Sequence, residues 1–190
     1  KNFTGALSDY DKAIEIDPSF AKAYNNRGNA KQEMKDFTSA LSDYNKAIEI
    51  DSSFAKAYHN RGNAKQEMKD FTGALSDYNK AIEIDSSFAK AYHNRGNAKQ
   101  EMKDFTGALS DYNKAIEIDP SDASVYNNRG IVKYKMKNFT GALSDYNKAI
   151  EIDPSYTDAY YNRGIVKKEM NDFTGSDNDF SKYNELTNVK

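Results

Sequence analysis

The chain has no cysteine, so disulfides, thiolate metal sites and cysteine nucleophiles are excluded together; an intracellular, cytoplasmic setting is expected. No stretch approaches the roughly 18–20 consecutive apolar residues of a membrane span, and no signal-peptide core is visible. An excess of one charge sign is missing too: 27 basic against 29 acidic residues leave a net charge of −2. A nucleic-acid binder needs a basic stripe to neutralise phosphates, so that class is set aside. Proline is scarce, and its three copies are Pro18, Pro120 and Pro154.

What is present is a 34-residue block, repeated in frame at 1–34, 35–68, 69–102, 103–136 and 137–170, with a sixth begun at 171–190. The blocks at 35–68 and 69–102 differ only where Ser39 becomes Gly73. Repeats of this length stack into a solenoid in which each unit buries its apolar face only against its neighbours. The chain starts at Lys1, in mid-repeat, and is expected to be part of a longer protein.

Two helical periodicities run through each unit. Tyr24, Arg27, Gly28 and Lys31 recur at i, i+3, i+4 and i+7, and Phe37, Ala40, Leu41, Tyr44, Ala47 and Ile48 repeat that spacing over three turns. The two helices of a unit are therefore each about 14 residues long, roughly 20 Å. Asp36, Asp70, Asp104 and Asn138 are placed to cap the second helix, and Ser19, Ser53, Ser87, Ser121 and Ser155 to cap the first. Asn2-Phe3-Thr4 and Asn138-Phe139-Thr140 match the glycosylation triplet but fall at helix starts and read as caps. Small residues (Gly28, Ala40, Ala47) mark where helices approach closely.

This pattern resembles that of tetratricopeptide repeat (TPR) proteins, Trp-x2-Leu-Gly-x2-Tyr followed by Ala-x3-Phe, an alanine and a proline. Gly28, Ala40 and Ala47 match directly, Tyr24 stands for the tryptophan, Tyr44 for the phenylalanine, and Phe37 for the aromatic that opens the second helix. The resemblance covers the whole chain. It implies an all-α, right-handed superhelical solenoid of antiparallel helix pairs, with the first helices lining a concave side. One solenoid is expected over 1–190: a leading second-type helix at 1–20, full units at 21–54, 55–88, 89–122 and 123–156, and a degenerate capping unit at 157–190.

Three departures from the family pattern carry information. Arginine replaces leucine in every unit (Arg27, Arg61, Arg95, Arg129, Arg163), and lysine stands where tyrosine is common (Lys31, Lys65, Lys99, Lys133, Lys167). An arginine on a packing face needs an anion, and Asp43, Asp77, Asp111, Asp145 and Asp179 recur in the following helix, so an internal Arg–Asp ladder is expected. In the last helix Ser176, Asp177 and Tyr183 replace alanine, leucine and alanine, as a polar solenoid end requires. The opposite end keeps its apolar stripe (Phe3, Ala6, Leu7, Tyr10, Ala13, Ile14), so end-to-end self-association through 3–16 is expected.

The face left for function holds Lys22, Asn25, Asn26, Asn29, Gln32 and Glu33 in the Ala21 unit. Asparagine recurs there at Asn26, Asn60, Asn94, Asn128 and Asn162, with a second row at Asn29, Asn63 and Asn97. A primary amide both donates and accepts, so such rows can bracket the peptide groups of an extended chain. Lys56, Lys90, His59 and His93 join the same groove, and Ile131, Tyr134, Tyr161 and Ile165 give its later part an apolar character suited to anchoring a ligand. A chaperone-tail clamp of the TPR family would need two cations that Asn25 and Asn94 do not supply; an asparagine ladder instead resembles the TPR groove of O-linked GlcNAc transferases. His59 and His93 sit in adjacent units about 10 Å apart, too far to share an ion held at about 2 Å per bond.

The expectation is a non-enzymatic protein-interaction scaffold, without cofactor or metal, holding an extended peptide of another protein. The alternatives are a structural spacer or self-assembly module, or the targeting arm of an enzyme whose catalytic domain lies elsewhere. An RNA-reading helical repeat would need a period of 35 and a basic concave face.

Overall fold

A computed structural model describes residues 3–188, all of whose regular structure is α-helical. The capping role expected of Asn2 lies outside the described residues. Two compact units are present, Lys1–Met102 and Lys103–Lys190. The first holds α1 (Phe3–Ile16), α2 (Ala21–Glu33), α3 (Phe37–Ile50), α4 (Ala55–Glu67), α5 (Phe71–Ile84) and α6 (Ala89–Glu101). The second holds α7 (Phe105–Ile118), α8 (Ala123–Lys135), α9 (Phe139–Ile152), α10 (Thr157–Glu169) and α11 (Phe173–Thr187). Even-numbered helices are the first type, odd-numbered the second, and tight turns make the pairs α2–α3, α4–α5, α8–α9 and α10–α11 antiparallel.

The turns inside these four pairs share one chemistry. In the first, Asp36 N–H reaches back to Lys31 C=O at 2.9 Å and Lys35 N–H to Gln32 C=O at 2.8 Å, closing a Schellman motif. That motif places Lys35 at φ 62°, and Lys69, Lys103, Lys137 and Asn171 share the left-handed conformation. The side chain of Asp36 then accepts from Ser39 N–H at 3.1 Å and caps α3, with Asp70, Asp104, Asn138 and Asp172 as its counterparts. Hydrogen bonding to Ser39 holds the Asp36 carboxyl below its usual range.

The serines expected to cap the first-type helices do not. One oxygen of Asp17 accepts both the N–H (2.9 Å) and the hydroxyl (2.6 Å) of Ser19, and Phe20 stands at the N-cap of α2 without a side-chain bond. The same Asp–Ser arrangement recurs at Ser53, Ser87, Ser121 and Ser155. A carboxylate is the stronger acceptor, so the serine becomes a donor. In α8 Asp122 takes the cap position and accepts from Ser124 N–H at 3.0 Å.

Tyrosine set over glycine closes the pairs α2–α3, α4–α5 and α8–α9. A Cβ added to Gly28 would lie 2.7 Å from Tyr44 Cε1, and Tyr44 is fully buried. The other side of Tyr44, with Ala40, packs on Ala64 of the next first-type helix, so one ring joins two successive repeats. Tyr78 does the same with Gly62 and Ala98, and Tyr146 with Gly130 and Val166. The Tyr44 hydroxyl lies 2.9 Å from the side-chain oxygens of both Asn29 and Gln32, which share its one proton. In α11 the buried Ser176 hydroxyl donates to Gly164 C=O at 2.9 Å, while Asp177 and Asn184 face water.

Candidate functional site

The arginine–aspartate ladder forms. Arg27 grips Asp43 through Nε (2.9 Å) and one terminal nitrogen (2.6 Å), and Lys31 Nζ approaches the same carboxylate at 2.7 Å. Arg61–Asp77–Lys65, Arg129–Asp145–Lys133 and Arg163–Asp179–Lys167 repeat it. Asp43 is only 3 % exposed, so two cations and bidentate geometry offset its desolvation. The remaining arginine nitrogen reaches the preceding second-type helix: Arg27 donates to Asp11 at 2.7 Å, Arg61 to Asn45 at 2.7 Å and Arg95 to Asn79 at 2.8 Å. Each of these arginines therefore ties its own helix to an earlier one. That third contact was not anticipated, although Asn45 and its counterparts recur in frame two residues after the aspartate column.

The asparagine rows are placed differently from the expectation. Asn60 donates both amide hydrogens to the preceding first-type helix, to Asn25 and Asn29 at 3.0 Å each. Asn94 likewise donates to His59 Nε2 at 3.0 Å and Asn63 at 2.8 Å. In the second unit Asn162 donates to Asn127 at 3.0 Å. These amides lace successive first-type helices together inside each unit, and the donors of Asn60 and Asn94 are engaged there. The reason is geometric: packed helices sit about 8–10 Å apart, close enough for a short amide to reach a neighbour before it reaches solvent.

His59 is drawn into the packing. It is 7 % exposed, with its ring centroid 4.8 Å from Phe88 and 5.9 Å from Tyr78. Because Asn94 donates to Nε2, the imidazole proton resides on Nδ1 and faces Asn60 Oδ1 at 3.3 Å. Burial pushes its pKa down to about 4, against the smaller opposing effect of the Asn60 bond. Neutral His59 is thus a link in a chain of amides that runs from Asn94 through Asn60 to Asn25. His93, Asn97 and Asn128 are half-buried, and each has partners of its own.

What stays at the surface is a shorter set. Lys22, Lys56 and Lys90 are exposed at one equivalent position of α2, α4 and α6, and form no ion pair among the described residues. Lys56 borders a shallow recess with Phe54, Asp85 and Phe88. Asn26 is exposed, and only its carbonyl is engaged, by Asn25 at 3.2 Å. Ile131 and Tyr134 turn inward onto Ala142, Tyr146 and Val166, which removes them as exposed anchors; the loss of Asn and Gln there trades hydroxyl acceptors for apolar packing. Tyr161 remains 45 % exposed while lying against Phe180 (5.7 Å) and Tyr183 (5.2 Å), and Ile165, one helical turn further on, is half-buried. No helix among the described residues is long and apolar enough to cross a membrane.

Comparison with known proteins gives a consistent family. A tetratricopeptide repeat profile matches residues 21–54, 55–88, 89–122 and 123–156, and two further TPR profiles match 1–35 and 145–176. No curated protein matches the sequence. Among solved structures, YrrB, described as a TPR protein with an unusual peptide-binding site, superposes with a TM-score of 0.73 at 25% identity, covering 93% of this chain and 91% of its own. MamA from Desulfovibrio magneticus RS-1 superposes at 0.80 with 18% identity over 90% of this chain and 96% of its own. The Cut9–Hcn1 complex gives 0.84 at 12% identity over 99% of this chain and 37% of the matched chain; these last two show the fold alone. With the profile matching in tandem along most of its length, and with helix pairs of the same design, this chain belongs to the tetratricopeptide repeat family.

Proposed function

We propose that the chain is a non-enzymatic protein-interaction scaffold that holds an extended peptide against its first-type helices. The observation that carries this reading is the row of Lys22, Lys56 and Lys90, exposed at the repeat interval and outside every ion pair among the described residues. Neighbouring first-type helices set such cations roughly 10 Å apart, about three residues of an extended chain. An ammonium group suits a peptide carbonyl or an acidic side chain, so a segment with acidic residues at every third place is the best fit. The second unit, taken by itself, offers a separate apolar contact at Tyr161 and Ile165, an aromatic being the commonest energetic anchor of an interface.

The description of YrrB as a peptide-binding TPR protein supports the reading. The asparagines contribute in a narrower way than a free ladder would, because the donors of Asn60 and Asn94 are engaged. A peptide array tests this directly. Hits should be acidic, and a Lys56→Ala, Lys90→Ala double variant should bind them about tenfold or more weakly, with an unchanged melting curve. Capture that survives the double change intact would remove the lysine row from the site.

A further inference from the structure

The first-type helices of the first unit open on one triplet: Phe20-Ala21-Lys22, Phe54-Ala55-Lys56 and Phe88-Ala89-Lys90. Phenylalanine stands at the N-cap in all three and makes no side-chain hydrogen bond there. A serine, aspartate or asparagine at that place would cap the helix, so the sequence forgoes a stabilising bond three times. In α8, where the phenylalanine is absent, Asp122 fills the position and accepts from Ser124 N–H at 3.0 Å. Lysine disappears together with phenylalanine. The corresponding triplets of the second unit are Asp122-Ala123-Ser124 and Tyr156-Thr157-Asp158, so the cation column ends at Lys90.

Packing accounts for part of this, since the Phe88 ring centroid lies 4.8 Å from that of His59. Phe54 and Phe88 nevertheless stay half-buried. Together with Ala55, Lys56 and Asp85 they line a recess of about 240 Å³. Those walls dictate what can enter. The two phenyl groups present apolar surface. The Asp85 carboxylate, one oxygen of which accepts from the N–H (3.0 Å) and hydroxyl (2.7 Å) of Ser87, turns away a second anion. An uncharged apolar side chain therefore suits the interior. The exposed Lys56 and Lys90 are left for carboxylates on either side of it, at the spacing of about three residues of an extended chain.

We propose that this recess is a specificity pocket of the peptide face, taking a leucine-sized side chain from a segment in which an apolar residue lies between acidic residues at every third place. The inference rests on the peptide-scaffold reading and names the ligand class more closely. Nucleic acid is the other natural partner of cations interleaved with aromatics. It is disfavoured because Asp17, Asp51 and Asp85 precede the three phenylalanines by three residues each and interrupt the basic track that a continuous polyanion needs.

The probes are labelled peptides made of four copies of Glu-Leu-Ser or of Glu-Ser-Ser, titrated by fluorescence anisotropy against the full 190-residue chain. The leucine peptide should bind about tenfold or more tightly, as burial of an aliphatic side chain implies. Phe54→Asn removes one wall and supplies a cap, so the melting temperature should hold or rise while the two peptides converge in affinity. A merely structural phenylalanine would instead give a lower melting temperature with the leucine preference intact. Ala55→Leu, which fills the recess rather than opening it, should abolish the preference in the same way. Lys56→Ala should weaken both peptides alike. Equal affinities for the parent chain, or a preference that survives both Phe54→Asn and Ala55→Leu, overturn the pocket; the peptide face then stands if Lys56→Ala still weakens both. Absence of binding by either peptide removes the face and the pocket together. Saturable binding of an oligouridylate at physiological salt, lost in Phe54→Asn, would also overturn the proposal by assigning the strip to nucleic acid.

Discussion

Asn94 passes its amide hydrogens backward along the array, to Nε2 of His59 at 3.0 Å and to Asn63 at 2.8 Å, and so fastens α6 onto α4. Asn94→Ala leaves the buried His59 nitrogen without its donor. Stability should fall by about 1–3 kcal/mol, the cost of orphaning a buried acceptor. Urea unfolding measures this, and an unchanged midpoint would mean that the amide lacing carries no weight.

His59 makes that lacing sensitive to pH. Unfolded, it titrates near 6.5; folded, burial lowers this to about 4. Between those values unfolding takes up a proton, so the contribution is complete above pH 6.5 and declines as pH falls toward 4. The slope is about 1.4 kcal/mol per pH unit for one proton. His59→Asn installs the residue that the same column has at Asn25 and Asn127, and it should flatten the difference between pH 7 and pH 4.5. Parallel pH dependence in variant and parent would exclude His59 as the source.

Arg61 meets Asp77 in a nearly closed site, with side-chain exposures of 18% and 4%. Arg61→Leu keeps the aliphatic packing but leaves Asp77 with Lys65 alone. A loss of about 2–4 kcal/mol is expected, somewhat below that for a wholly unpaired buried charge. Lys65→Met should cost less, because the bidentate partner remains. The reverse ranking in chemical denaturation would assign the leading role to lysine.

Lys69 occupies the left-handed region at φ 64°, where a side chain costs energy that glycine avoids. Its N–H and carbonyl groups serve the Schellman turn whatever the side chain. Lys69→Gly should raise stability by about 0.5–1 kcal/mol, and the same change at Lys35 should add independently. Differential scanning calorimetry would register about 2–4 °C per kcal/mol in a chain of this length.

Gly62→Ala probes the seat of Tyr78. The new methyl would stand 2.7 Å from Tyr78 Cε1, and a ring buried between two helices has nowhere to retreat. Overpacking should cost about 1–3 kcal/mol. Gly164→Ala, which faces Phe180 at 3.0 Å in the terminal pair, should be milder. Equal melting temperatures for the two variants would disprove the ranking.

The helix pairs, the aspartate caps and the arginine–aspartate ladder were legible because each is a local pattern copied in frame. Arg27 and Asp43 are 16 residues apart in every copy, and an apolar setting leaves them one sensible use, each other. The asparagines were ambiguous because a polar side chain on a helix reads alike whether it meets water, a peptide or a neighbouring helix. What separates these outcomes is the distance from Asn60 to Asn25, 35 positions back, which depends on how units nest. The serines misled for a related reason. Ser19 looks like a cap until Asp17, two residues earlier, competes for its donors.

Because the blocks at 35–68 and 69–102 are near-copies, the partners that Arg27 finds on α3 exist again, almost atom for atom, on α5. During folding a chain can therefore close α2 onto the wrong mate and loop out a whole repeat while satisfying nearly the same bonds. Such slipped forms differ from the native one chiefly in the entropy of the extruded segment, so slow refolding phases and exchange of helices between molecules are the natural hazards of so exact a duplication.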